Sequence, residues 1–310
     1  MDNYFYLLYI LINMNLSIKI VPISILFIKK KKTNSIHKLV NIEMRLLIFA
    51  VGVVCSALAE EQIALNYHED YGIPLATSIK RAEEAGDFDG ARVVGGWRAG
   101  LGDHPHLGGV LVNLYGGAVS VCACSLLTNT RAVTAAHCWW DGYNLAIDFT
   151  LVYGSLLLFS GGMRVNTSAV DVHAAYNSNN LNNDIAVVIL PWVNYTEYIQ
   201  PIRLPTAWLA LATAARGTYL SHVNVTVISN QECEVTYGNS VVVPATVCSS
   251  GAGFRGTCLG DSGGSLWAWI GGSRFLIGVT SFHAARGCEL GLPSGYTRIT
   301  IFVPWIQERL

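Results

Sequence analysis

The chain has 310 residues, 52% of them apolar and 13% charged, with a formal net charge of −1. That balance gives no electrostatic footprint for nucleic acid or an anionic membrane surface, and neither a P-loop nor a dinucleotide fingerprint occurs, so no cofactor is implied. The length suggests about two domains, and the eight cysteines, read with an export signal, indicate an oxidising compartment.

Residues 1–43 hold two apolar runs, Tyr4 to Ile12 and Ile18 to Ile28, interrupted by Asn and Lys and closed by Lys29-Lys30-Lys31-Lys32. The second run is short for a membrane anchor. Met44-Arg45, the apolar run Leu46 to Cys55 and Ala57-Leu58-Ala59 supply a basic start, a short apolar core and a small-residue cleavage site. Met44 therefore reads as the initiator, residues 44–59 as a secretory signal peptide, and residues 1–43 as an upstream extension with no part in the fold. Residues 60–92 are acidic, and their composition predicts a linker with a marginal helix around Ser78–Ala85. They end in Gly90-Ala91-Arg92, just before Val93-Val94-Gly95-Gly96.

From Val93 onward, short β-rich runs alternate with Gly/Asn/Ser turns. The first series is Gly109–Leu114, Val119–Leu127, Ala132–Ala135, Phe149–Val152 and Ile185–Leu190. The second is His222–Ile228, Val241–Val243, Ser265–Ile270, Phe275–Thr280 and Tyr296–Ile299. This spacing predicts an all-β sandwich or barrel rather than a parallel α/β sheet.

Three motifs carry chemistry. In Cys258-Leu259-Gly260-Asp261-Ser262-Gly263-Gly264 a serine is flanked by glycines, which permit tight turning and close approach of a substrate. The N–H groups of Gly260 and Ser262 can then face one small hole where an oxyanion would form. A serine needs a base to act as a nucleophile. Upstream stand Thr134-Ala135-Ala136-His137-Cys138 and Asn183-Asp184-Ile185-Ala186-Val187. With this wording and the order His, Asp, Ser, the chain resembles the chymotrypsin/trypsin-like serine proteases. His104-Pro105-His106 and Thr280-Ser281-Phe282 bring it nearest, within that family, to insect midgut chymotrypsins.

The resemblance implies two antiparallel six-stranded barrels, about 93–205 and 206–300, and a short C-terminal helix at Phe302–Leu310. The active site would lie between the barrels, with His137 and Asp184 from the first and Ser262 from the second. It implies an inactive precursor cut by a trypsin-like protease after Arg92. The new amino group of Val93 would then turn inward to pair with Asp261, a carboxylate too costly to bury alone. Implied disulfides are Cys122 with Cys138, Cys233 with Cys248 and Cys258 with Cys288, although sequence alone allows other pairings. Cys124 is left as a small buried thiol, because Cys122, Cys124, His137 and Cys138 lack a second ligand pair at zinc spacing.

The implied specificity pocket comprises Gly256, Thr257, Ser281, His283 and Ser294. Gly256 stands six residues before the serine, where tryptic relatives carry an acid, so apolar or aromatic side chains are expected. His283 and Ser294 are expected to narrow the pocket, unless His283 faces solvent. Protein substrates, protein inhibitors and a monomeric, secreted enzyme follow from the resemblance. Every lysine lies at or before Lys80, so the mature enzyme would carry arginine alone. Arginine keeps its charge past the pH at which lysine loses it, which suits an alkaline gut lumen.

The sequence departs from the family at two places that matter. Cys122-Ala123-Cys124-Ser125 replaces glycines packed behind the catalytic residues, so strain is expected there. Thr206–Leu220 is short by about a strand and a loop, which predicts an incomplete second barrel. A non-catalytic homologue that only binds partners is the alternative reading. Asn166, Asn194 and Asn224 head glycosylation patterns.

Overall fold

The computed structural model describes residues 60–86, 97–205, 215–217, 221–258 and 260–310. The expected signal peptide and the Arg92–Val93 junction lie outside the described residues. No helix among the described residues is long and apolar enough to cross a membrane.

Two antiparallel sheets make up the body. The first holds β2 (Leu107–Leu114), β3 (Val119–Thr128), β4 (Arg131–Thr134), β5 (Ala146–Tyr153), β6 (Met163–Thr167), β7 (Val170–Val172) and β8 (Ala186–Ile189). The short β1 (Trp97–Arg98) joins the second sheet instead. The strand order of the first sheet is β6-β5-β2-β3-β4-β8-β7. β6 and β7 are separated only by Ser168 and Ala169, and form the two ends of that order. One bent strand thus closes the sheet into a barrel of the expected kind. Alternation drives it: in β5, Phe149, Leu151 and Tyr153 are buried while Ile147 is exposed.

The second sheet holds β9 (Ala215–Gly217), β10 (Ser221–Val225), β11 (Val227–Ile228), β12 (Thr246–Ser249), β13 (Ser265–Ile270), β14 (Ser273–Phe282) and β15 (Ser294–Arg298). Its order is β1-β10-β9-β13-β14-β15-β12-β11, and β10 and β11 again form one strand bent at Thr226. Of the stretch 206–220, where a shortfall is expected, only β9 is described; the rest lies outside the described residues. The three residues of β9 pair with β10 along their whole length and with β13 only at Trp267.

The segment before Val93 differs from the linker expected of it. Ile63 forms a bridge, His68–Gly72 is a wide π-turn, and α1 (Ile73–Ala85) follows, ending at Gly86 with φ 64°. Pro74 suits the first turn, where its missing N–H leaves no bond unmade. The helix is longer than the marginal one predicted because Ala76 and Ile79 are buried against Leu111, Val121, Ala123 and Val152. β3 is consequently buried on both faces. α2 (Asn230–Tyr237) starts at Ser229, whose hydroxyl accepts from Glu232 N. α3 (Ile299–Gln307) closes the chain, with Phe302, Val303 and Ile306 in the main core.

The three expected disulfides are present: Cys122–Cys138, Cys233–Cys248 and Cys258–Cys288. Cys124 is a buried free thiol, its Sγ 3.2 Å from the Tyr153 hydroxyl. The crowding expected around Ala123 and Cys124 is relieved from across the sheet. Gly108 pairs with Cys124, and a Cβ on it would lie 2.8 Å from Cys124 Sγ and 2.4 Å from the Tyr153 ring. Gly108→Ala should therefore destabilise the fold by about 1–3 kcal/mol, the usual cost of overpacking, read as a lower urea midpoint.

Candidate active site

The first barrel delivers an imidazole and a carboxylate. β4 ends in a single 3-10 turn, Ala136–Cys138, anchored to β3 by the Cys122–Cys138 bond. His137 stands on that turn, only 2% exposed. Asp184 lies just before β8 and is fully buried. Its carboxylate accepts from His137 N at 2.9 Å, His137 Nδ1 at 2.7 Å and Ser281 Oγ at 2.6 Å. The Asp184 carbonyl accepts from Thr297 Oγ1 at 2.6 Å. With Nδ1 donating to the carboxylate, the lone pair of a neutral ring sits on Nε2. That nitrogen is buried and has no hydrogen-bond partner among the described residues.

The second barrel delivers the hydroxyl. Ser262 lies between Gly260, φ 89°, and Gly263, φ 79°, conformations that a side chain would strain. A Cβ on Gly263 would also stand 2.2 Å from Thr134 Oγ1 and 2.3 Å from Ala123 O. The serine loop is pinned to the first barrel at this point, because Ala123 N donates to Ser262 O at 2.8 Å. Asp261 is buried and accepts from Cys258 N at 2.8 Å. The amino group expected to meet it belongs to Val93, outside the described residues.

His137, Ser262, Ser281 and His283 line one cavity, but Ser262 is not bonded to His137 in this form of the chain. Tyr67, from the segment before the junction, is the reason. Its ring packs edge-on to His137 at 4.9 Å, and its hydroxyl donates to Val121 O at 2.7 Å. Burial pushes the phenol well above its usual range, partly offset by hydrogen bonding from Ser262 and the Gly260 backbone. The sequence reading missed this tyrosine entirely.

Of the expected pocket residues, Thr257, Ser281, His283 and Ser294 are all buried. Ser294 Oγ accepts from Thr257 N at 3.3 Å and would lie 2.8 Å from a Cβ on Gly256. His283 does not face solvent: Tyr71 covers it at 5.6 Å, and burial, with the nearby charge of His137 second, lowers its pKa to about 4. The cysteines beside His137 offer no thiolate to a metal, being bonded to one another.

Comparison with known proteins matches this arrangement. The family profile described as Trypsin matches residues 93–306. Collagenase of Hypoderma lineatum is 30% identical over 77% of this chain and 95% of its own length. Brachyurin of Leptuca pugilator is 32% identical over 70% of this chain and 98% of its own. A solved structure titled HL collagenase superposes with a TM-score of 0.63 at 31% identity, covering 70% of this chain and 98% of that one. With two antiparallel barrels, a histidine-bearing turn facing a glycine-flanked serine and a profile match across the whole body, the chain belongs to the trypsin family of serine endopeptidases.

Proposed function

We propose that the chain is exported as an inactive precursor, cut after Arg92, and then hydrolyses peptide bonds on the carboxyl side of apolar residues. Ser262 Oγ attacks the scissile carbonyl as His137 Nε2 takes its proton. Asp184 fixes the tautomer of His137 and stabilises the imidazolium. The N–H groups of Gly260 and Ser262 hold the oxyanion. The leaving amine takes the proton from His137, and water then releases the acyl group from Ser262. The Val93 amino group pairs with Asp261 to set the oxyanion loop.

One observation carries this reading: Asp184 holds His137 by its backbone N–H and by its imidazole Nδ1, which leaves the ring's free lone pair on Nε2, beside the cavity that His137 and Ser262 line. The pocket supports apolar substrates because Gly256 brings no carboxylate to neutralise a Lys or Arg side chain. Ser294 and His283 narrow it, which favours medium-sized apolar groups. The lysine-free body supports work in alkaline fluid, such as a gut lumen, alongside other proteases. Its partners are protein and peptide substrates, an activating trypsin-like protease and protein inhibitors, and it acts as a monomer.

The test is covalent labelling by a fluorophosphonate. Precursor cut by trypsin and then freed of residues 60–92 should be labelled, and the Ser262→Ala protein treated in the same way should not. Folded, cut protein freed of that segment that takes no label would overturn the reading.

A further inference from the structure

The segment before the junction enters the cleft as a strand and leaves it as a helix. Ile63 pairs antiparallel with Ala284, immediately after β14. Ala64 N donates to His283 O at 3.2 Å, and Ala285 N donates to Gln62 O at 2.8 Å. Glu61 pairs with Arg286, which holds its carboxyl below the usual range. A peptide chain thus already adds a strand to the rim of the cleft that His283 forms.

It does not run on across Ser262. Asn66 has φ 26°, rare for a residue with a side chain, and Tyr67 is already helical. The turn swings the backbone away while the Tyr67 side chain enters between His137 and the serine loop. Beyond the turn, His68 N donates to Asp141 Oδ2 at 2.9 Å, and His68 Nδ1 lies 2.8 Å from Ser120 Oγ. Gly72 fits only as glycine, since a Cβ would sit 1.9 Å from Ser120 Oγ. Leu75 covers Gly260, meeting a notional Cβ there at 2.4 Å. Glu83 finally accepts from Leu158 N at 2.6 Å and Phe159 N at 3.0 Å.

We propose that the cleft carries a binding site for a strand–turn–helix peptide, with residues 61–83 of this chain as its occupant and inhibitor. None of these contacts involves Arg92 or Val93, and no cysteine lies between residues 60 and 92. The leader therefore stays docked, without a covalent tie, after the junction is cut. Inhibition ends when the leader leaves, so cutting and activation are separate events. The inhibition rests on the proteolytic reading given above; the docking does not.

Two measurements test this. Precursor cut at the junction and passed through gel filtration should retain the leader, identified by its mass, and the Tyr67→Ala precursor should lose it. Leader that separates from the wild-type chain as soon as it is cut overturns the proposal. A synthetic peptide of residues 60–86 should raise KM for a chromogenic apolar substrate and leave kcat unchanged. A Tyr67→Ala peptide should be at least ~10-fold weaker, as for loss of a central buried aromatic anchor. Equal potency of the two peptides, or inhibition that lowers kcat alone, overturns it. The same peptide, carrying fluorescein, should bind saturably to cut Ser262→Ala protein from which its own leader has first been removed. This arm reads docking without catalysis, so a failed activity and a failed binding site give different results.

Discussion

Asp184→Asn in the activated enzyme should lower kcat by about 10⁴-fold, the loss associated with the wrong histidine tautomer in a Ser-His-Asp triad. The reason lies in the donor count. Asp184 accepts from a backbone N–H, the imidazole Nδ1 and the Ser281 hydroxyl. The His137 N–H donates to Oδ1, whereas Nδ1 and the Ser281 hydroxyl share Oδ2, so an amide that keeps the backbone bond on its oxygen turns its NH₂ group toward both of the others. The imidazole must then accept at Nδ1, which puts its proton on Nε2, where the serine proton has to go. KM should change little, because Asp184 is fully buried and cannot touch substrate. Thermal unfolding should show a stability loss of about 1–3 kcal/mol from the weakened bonds. A kcat within tenfold of the parent enzyme would remove Asp184 from the proposed mechanism.

Acid should release the leader. His68 is fully buried when docked, and its pKa falls to about 4, first from burial and then from the nearby charge of His137, against the pull of Asp141. His283, beneath Tyr71, is lowered to about 4 in the same way. A docked state with depressed histidine pKa values binds fewer protons than the free state. Affinity is thus full above the ordinary histidine pKa of about 6.5 and falls as pH drops from there toward 4. The groups facing His68 are the Asp141 carboxylate, the His137 ring and the Ser120 hydroxyl; Glu69 and Asp70 on its own turn are exposed. The loss should reach the order of 10²-fold for His68 alone. Anisotropy of labelled peptide on cut Ser262→Ala protein stripped of its own leader, between pH 7.5 and 4 (about the range of histidine titration), reads it. Affinity that holds constant or rises on acidification would refute this linkage.

Much of the body was legible because its signals are local. Period-two alternation marks β5, and the glycines around Ser262 are required by backbone angles that few other residues adopt. The pairings Cys122–Cys138, Cys233–Cys248 and Cys258–Cys288 came with the resemblance and are present. What sequence reasoning missed depends on surfaces far apart in the chain. Composition made residues 60–92 an acidic linker, yet Ile63, Leu65 and Tyr67 alternate as a strand does, and Tyr67, Tyr71, Leu75 and Ile79 then recur every fourth residue. The change of period at Tyr67 was readable, but its target was not. Ser120, Asp141 and Val121 become a socket only once the first barrel has folded. The compensation of Cys124 by Gly108 was hidden for the same reason, since their register is a property of the paired strands.

The way the barrels share Asp184 constrains how such a protein can change. The acid is carried by the first barrel, yet Ser281 and Thr297, which bond its side chain and carbonyl, stand on β14 and β15 of the second. Covered by a half without those hydroxyls, the acid would be desolvated and short of donors, and a second half joined to a partner without the acid would bury two hydroxyls facing nothing. Recombination that exchanges one half for that of a distant relative must therefore bring matching hydroxyls with it. The halves are expected to be inherited as a pair, however freely their outer loops diverge.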